Sequence, residues 1–190
     1  MIVEGVATTW DSEGVVNVAP LGPLVPERPP SNWKGFLLRP FPGSRTYANL
    51  KATGEGVFHL TDDVLLIARS AIGDVTPVTV LAEHSSGRRL ADCCRWFEFR
   101  IGEWNESGDR PQVQAIVLHQ GAGRDWAGFN RAKHAVLEAA ILATRLHFSG
   151  KAAVQQELER LKSPIEKTAG AAEREAFQLL VEYVQRWRPS

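Results

Sequence analysis

Four residues able to hold an anion fall close together in the chain: Arg39, Ser44, Arg45 and Thr46. Pro40 and Pro42 lie between the first of them and the rest, and a proline has no amide hydrogen to donate, so sheet pairing through Phe36 and Leu38 must stop there. Ser44 is then placed to cap a helix over 45–53, in which Tyr47 and Leu50 share a face and Gly54 stands where a left-handed C-terminal cap belongs. Such a helix start offers backbone amides and the positive end of the helix dipole. The hydroxyls of Ser44 and Thr46 and the guanidinium groups of Arg39 and Arg45 add donors suited to one negatively charged group, and a phosphate fits best. The same residues also read as a plain capped helix with two solvated arginines, and spacing alone does not separate the two readings.

Other residues with chemical potential are more scattered. His59 sits in an apolar run over 57–60, where a satisfied structural histidine is the ordinary case. The two cysteines, Cys93 and Cys94, are adjacent, and neighbouring strand residues point to opposite faces, which disfavours a disulfide between them. With five histidines and no C-x-x-C or H-E-x-x-H spacing, the sequence gives a zinc or iron site little support, and no metal is expected.

The elements that must position these groups read mostly as strands. A strand over 2–10 and a return strand from Val15 to Ala19 flank Asp11-Ser12-Glu13-Gly14, which carries hairpin turn chemistry. In the return strand Asn17 shares a face with Val15 and Ala19, so its amide is either buried against backbone or turned to a ligand. Pro20 begins the segment that ends this hairpin. Asp62 or Asp63 caps a short helix ending at Gly73. The pattern weakens over 76–90, and 83–89 reads as an exposed loop.

Alternation returns over 93–104, with Phe97, Phe99 and Ile101 on one face and Trp96, Glu98, Arg100 and Trp104 on the other. Glu106-Ser107-Gly108-Asp109 turns the chain into a strand over 112–120. From Phe129 to Leu146 the apolar residues follow helical spacing, and Pro164 and Gly170 divide the remainder into helices near 152–162 and 172–188. Antiparallel strands with short helices between them fit a barrel, because closure removes exposed edges.

The 190 residues suffice for one sizeable domain with an appendage, and 22 basic side chains balance 22 acidic ones. No global field then draws the chain to nucleic acid or to a membrane surface, and any anion site is local. No apolar run approaches the length needed to cross a bilayer, and the two free thiols suggest a reducing, cytoplasmic setting.

The stretch from Leu38 to Asp62, with Gly14-Val15-Val16-Asn17-Val18-Ala19-Pro20 before it and Phe129-Asn130-Arg131-Ala132-Lys133-His134-Ala135 and Ala143-Thr144-Arg145-Leu146 after it, resembles the split-barrel flavoproteins that bind flavin mononucleotide (FMN). Within them the match is to the archaeal and bacterial family known as domain of unknown function 447. The resemblance spans nearly the whole chain. It implies a mainly β fold with α: an FMN-binding split β-barrel over 1–123 followed by a small helical subdomain over 124–190.

It further implies that the FMN phosphate sits among Arg39, Ser44, Arg45 and Thr46, at the loop opened by Pro40, with Asn49 bracing that loop and Asn17 and the Ala19-Pro20 backbone near the ring. Asn130, Lys133 and His134, on the polar side of the Phe129 helix, would line the site. Family members are typically homodimers with the flavin near the interface. The aromatic residues on the strand faces, more apolar surface than one subunit can hide, point the same way, with Trp96 and Trp104 either interface contacts or packed against the chain's own helical tail. The expected activity is that of a flavin-dependent oxidoreductase or flavin reductase, with NAD(P)H as a possible donor and no catalytic acid or base evident. The alternative is a non-catalytic module that holds a flavin or another phosphate-bearing ligand.

Overall fold

The structure, a computed structural model, describes residues 1–108 and 110–189. Asp109, the last residue of the turn expected at 106–109, lies outside the described residues. Two compact units emerge, one of Met1–Thr61 with Thr76–Trp126 and one of Asp62–Val75 with Ala127–Ser190.

The first unit carries β1 (Gly5–Trp10), β2 (Val16–Leu21), β3 (Gly35–Leu38), α1 (Arg45–Thr53), β4 (Glu55–Leu60), β5 (Thr79–Leu81), β6 (Arg88–Leu90), β7 (Arg95–Asn105) and β8 (Gln112–Ala122). Six strands form an antiparallel sheet in the order β2-β1-β4-β7-β8-β3, and β5 and β6 form a separate ribbon. The open ends of the large sheet are drawn together through Leu24, which bridges Ile2 on one side and Leu37 on the other. Leu24 and Leu37 exchange both backbone hydrogen bonds, at 2.8 and 2.9 Å, so this segment links the β3 edge to the start of the chain.

The β1–β2 turn forms as its residues require: the Asp11 carboxylate accepts from the amides of Glu13 and Val15, both at 2.9 Å. Phe36, Phe58, Phe97 and Phe99 fill the interior, each 2 % exposed or less, with edge and tilted ring contacts among them.

The outer face of the sheet is covered too. Trp10, Val57, Cys93 and Trp96 form a second buried cluster, and the β5–β6 ribbon lies against β1 and β4 there. The Thr8 hydroxyl donates to the Arg88 carbonyl, and the Trp96 ring lies so close to Gly121 that a Cβ at that position would stand 2.1 Å from it. The expected exposed loop over 83–89 is therefore the tip and return strand of a hairpin, and Arg88 is tied to Thr79 by two bonds at 2.9 Å. Trp96 is likewise 7 % exposed and committed to its own unit's cluster, with the Arg89 guanidinium 3.8 Å from the ring centre, so it is not available as an interface anchor.

His59 is fully buried in this layer. Its Nε2 accepts from the Leu90 amide at 3.1 Å, which leaves the proton on Nδ1 to donate to the Val6 carbonyl at 3.0 Å. Burial lowers its pKa to about 4, so the ring is neutral and structural, in line with the ordinary expectation for a lone strand histidine.

The second unit consists of α2 (Val64–Ile72), α3 (Arg131–Thr144), α4 (Leu146–Ser149), α5 (Lys151–Thr168) and α6 (Ala171–Arg186). The division at 123/124 expected from sequence places α2 with the barrel, whereas its apolar residues pack on α3 and α6. Asp63, not Asp62, caps α2, accepting from the Leu66 amide at 3.0 Å. The buried face of α3 is made largely of alanines (Ala132, Ala135, Ala139, Ala140, Ala143), which lets neighbouring helices approach closely.

Two sequence expectations fail here. Phe129 precedes the helix and is 92 % exposed, so the buried stripe begins at Ala132. Pro164 lies inside α5 without ending it: Val154, Leu158 and Ile165 share a buried face, and that packing holds the helix through the missing donor.

Candidate functional site

The start of α1 is built by its own residues. Ser44 adopts an extended conformation (φ −73°, ψ 153°), its Oγ accepts from the Tyr47 amide at 3.1 Å, and its carbonyl accepts from Ala48 at 3.0 Å. With Tyr47 capped and Ala48 in the helical ladder, the Thr46 amide has no place within that ladder. Gly54 closes the other end at φ 68°, a left-handed conformation that suits glycine, with its amide on the Leu50 carbonyl. The helix thus runs between the residues expected to bound it.

Beneath the first turn lies a buried polar network. The Asn17 side-chain amide donates to Thr46 Oγ1 at 3.1 Å and, more weakly, to Thr9 Oγ1 at 3.4 Å, while the Asn49 amide donates to Thr9 Oγ1 at 3.2 Å. Thr9, Asn17, Thr46 and Asn49 are all under 9 % exposed. Of the two alternatives for Asn17, burial against backbone is not what occurs, since its amide is held by two hydroxyls. Asn49 braces α1 to β1, and Ala19 and Pro20, half-buried on β2, pair with Ala7 and Val6. Each hydroxyl that accepts here keeps a proton to donate, so the network passes donor capacity toward the helix start.

Arg39 follows β3 directly, is half-buried, and makes no hydrogen bond or ion pair among the described residues. Pro40 is buried, and Arg45, exposed on the first turn of α1, adds a second guanidinium. On its other side α1 is anchored to β7: the Tyr47 hydroxyl donates to Glu106 at 2.6 Å, Lys51 pairs with Glu106 at 3.0 Å, and the Lys51 ammonium stands 4.2 Å from the Trp104 ring centre. The bond to Glu106 raises the Tyr47 phenol and holds the Glu106 carboxyl below its usual range. Trp104 is therefore half-buried against α1.

Asn130, Lys133 and His134 belong to the helical unit, and two of them have full internal roles there. Asn130 caps α3 through its Oδ1, which accepts from Ala132 at 2.8 Å and Lys133 at 3.1 Å, while its Nδ2 donates to the Thr168 carbonyl. The Lys133 ammonium donates to the Asp62 carbonyl at 2.5 Å and pairs with Glu173 at 3.3 Å. Burial pushes the Glu173 carboxyl upward, but Lys133 and the amides of Glu173 and Gly170 outweigh it and hold the group below the ordinary range. His134 is exposed, with its ring against the edge of Phe129.

Sequence reasoning did not find a cleft of about 420 Å³ in the barrel unit, toward the opposite end of β1 from Thr9. Leu60, Cys94, Arg95, Gly123, Arg124 and Trp126 line it. Arg124 bonds Asp92 at 2.8 Å and approaches Cys94 Sγ at 3.6 Å. Both cysteines are free thiols, and burial raises Cys93 to about 11, so it is inert. The cleft's residues come from strand ends far apart in sequence, which explains why no local motif marked it.

A six-stranded antiparallel sheet drawn closed through Leu24, with a capped helix above a buried polar network and a helical segment after it, defines a split β-barrel with a C-terminal helical part. The chain belongs to the family described as protein of unknown function (DUF447): the N-terminal domain of that family matches residues 3–124 and its C-terminal part matches residues 130–182. Among solved structures, an FMN-bound protein of the same family from Methanosarcina mazei superposes with a TM-score of 0.82 at 24% identity, covering 96% of this chain and 94% of that one. An FMN-binding protein from Thermus thermophilus with bound p-hydroxybenzaldehyde (TM-score 0.52, 18% identity, 67% and 75% covered) shares the barrel. So does the styrene monooxygenase flavin reductase of Pseudomonas putida S12 (TM-score 0.50, 15% identity, 64% and 79% covered).

Proposed function

We propose that the protein binds FMN with the phosphate at the start of α1, and that it is a flavin-dependent oxidoreductase of the flavin reductase kind. The observation that carries the reading is half-buried Arg39, without a protein partner among the described residues and five positions before a helix start whose Thr46 hydroxyl is held from below by Asn17. Support also comes from the fold shared over nearly the full chain with an FMN-bound protein.

Arg39 and Arg45 supply charge-assisted hydrogen bonds to the phosphate, and Ser44, the Thr46 hydroxyl and the Thr46 amide complete the cradle. Asn17 and Asn49 hold Thr46 and α1 in register with β1, so the donors need no reorganisation when the anion arrives. The flavin, once bound, supplies the electron chemistry. Asn17 and the Ala19-Pro20 backbone stand at the same edge of the sheet and are assigned to the ring. The reading extends to a homodimer and to a reduced nicotinamide as donor.

The test is the visible spectrum of the purified chain, followed by titration with FMN and an assay of NADH and NADPH oxidation. A yellow protein, or one that takes up one FMN per chain, supports the binding claim, and steady oxidation of a reduced nicotinamide supports the enzyme. One FMN per chain with no turnover by either donor would favour the carrier or sensor reading, and no uptake would end both.

A further inference from the structure

The tip of the β5–β6 hairpin brings three metal-ligating side chains together. Glu98 on β7 faces away from Phe97 and Phe99, and although it is fully buried its carboxylate has three partners. Oε1 accepts from the Glu83 amide at 2.9 Å, and Oε2 from the amides of His84 and Ser85 at 2.6 and 2.8 Å. Those bonds clamp the hairpin tip over the sheet. The Ser86 amide and hydroxyl add a second tether on Glu55, at 2.8 and 2.7 Å.

His119 on β8 is the direct cross-strand partner of Glu98, so the clamp sets residues 83 and 84 beside it. The His84 and His119 rings are stacked with centres 4.5 Å apart, and His119 Nε2 stands 3.4 Å from Glu83 Oε2. One donor atom from each of the three residues lies within 4.8 Å of the other two.

We propose that Glu83, His84 and His119 form a site for a divalent transition-metal ion of the zinc class. Two imidazoles and a carboxylate are the ligand types such an ion prefers, whereas calcium and magnesium call for oxygen alone. At a metal–ligand distance of about 2.05 Å the edge of a coordination tetrahedron is about 3.3 Å. The Glu83–His119 pair already has that spacing. His84, on the exposed hairpin tip, closes the remainder by side-chain rotation, while the backbone of all three is held by Glu98 and the β7–β8 ladder. Three protein ligands leave a fourth position open to water or to a small donor molecule.

Local spacing could not reveal the site. Its ligands come from a hairpin tip and from a strand 35 residues later in the chain, and neither stretch contains a metal motif. The inference draws on nothing at α1 and stands apart from the flavin reading. Because the ion would tie residues 83 and 84 to β8 only in the folded chain, binding should raise thermal stability, by roughly 5–10 °C at an ion concentration of a hundred times Kd.

The test is calorimetric titration of the chelator-treated full chain with Zn²⁺ and Co²⁺, with thermal unfolding alongside, for wild type, Glu83→Gln, His84→Ala, His119→Ala and Cys94→Ser. One ion per chain in wild type and Cys94→Ser, at least tenfold weaker in each of the three ligand variants, is the expected result. Glu83 and His84 are exposed, so those two variants decide the matter even if His119→Ala fails to fold. No Zn²⁺ uptake by wild type at about 100 μM ion, a concentration well above the Kd expected for a pre-positioned site, overturns the proposal. Wild-type affinity retained in Glu83→Gln and His84→Ala overturns it equally, as does loss of binding in Cys94→Ser alone.

Discussion

Two helices in this protein start with the same local signature, a capping side chain followed by an arginine, and the chain treats them differently. At α3 the cap and the amides that follow it are taken up inside the fold: Asn130 uses its oxygen on two amides and its nitrogen on Thr168, Thr168 Oγ1 also takes the Ala132 amide, and Lys133 is neutralised by Glu173. At α1 the cap takes one amide, the buried network below supplies donors rather than absorbing them, and Arg39 finds no partner among the described residues. On the proposed reading a capped helix start serves a ligand where the rest of the fold leaves its donors over, a property of tertiary satisfaction that no cap motif encodes.

The contrast can be broken most forcefully at Lys133. Replacing it by alanine leaves Glu173, 8 % exposed, without its cation, and removal of one member of a largely buried pair costs about 3 kcal/mol. Urea unfolding should show that loss, while FMN affinity of the folded variant stays within about twofold of wild type. A stable Lys133→Ala protein with weakened flavin binding would reverse the assignment of the two helix starts.

His59 extends the comparison to a polar group sealed on both sides. The fold holds its pKa near 4 against an ordinary 6.5, so the unfolded chain takes up the proton first. Stability should be intact above about pH 6.5 and fall as the pH drops through 4, by about 3 kcal/mol in all. Urea unfolding across this window, with His59→Asn as the reference that lacks the slope, measures it.

The open helix start responds in affinity rather than stability. Arg39→Ala should weaken FMN by about 1.5–3 kcal/mol, or roughly tenfold to a hundredfold and more, with little change in unfolding. Arg174→Ala, on the exposed side of α6, is the neutral control. The smallest effect belongs to the cap itself: Ser44→Ala should cost about 1 kcal/mol of stability and a comparable amount of FMN affinity.

Where local chemistry decides, the sequence was enough. The Asp11-Ser12-Glu13-Gly14 turn, the Ser44 and Gly54 boundaries of α1 and the alternation of Phe97 and Phe99 were all legible. Where distant residues decide, it was not. β5 and β6 are three residues each, with Leu81 exposed, and they show no period because Glu98 and Thr8 hold the hairpin from the sheet. Glu98 itself read as part of a polar strand face, yet it is buried, with three amides and His119 bringing its carboxyl below the ordinary range against the opposing push of burial. α2 lies between barrel strands in sequence, while its apolar face selects α3 and α6. The internal partners of Asn130 and Lys133, namely Thr168, Asp62 and Glu173, are spread over more than a hundred positions, so no local spacing shows them.

The central claim is that the start of α1 holds a phosphate, and the most direct test compares FMN with riboflavin, which lacks only that group, on wild type and Arg39→Ala by calorimetry. The account predicts that wild type binds FMN at least tenfold more tightly than riboflavin, and that Arg39→Ala removes most of this advantage while leaving riboflavin affinity unchanged. Equal losses for both ligands in Arg39→Ala, or no preference for FMN in wild type, would contradict it.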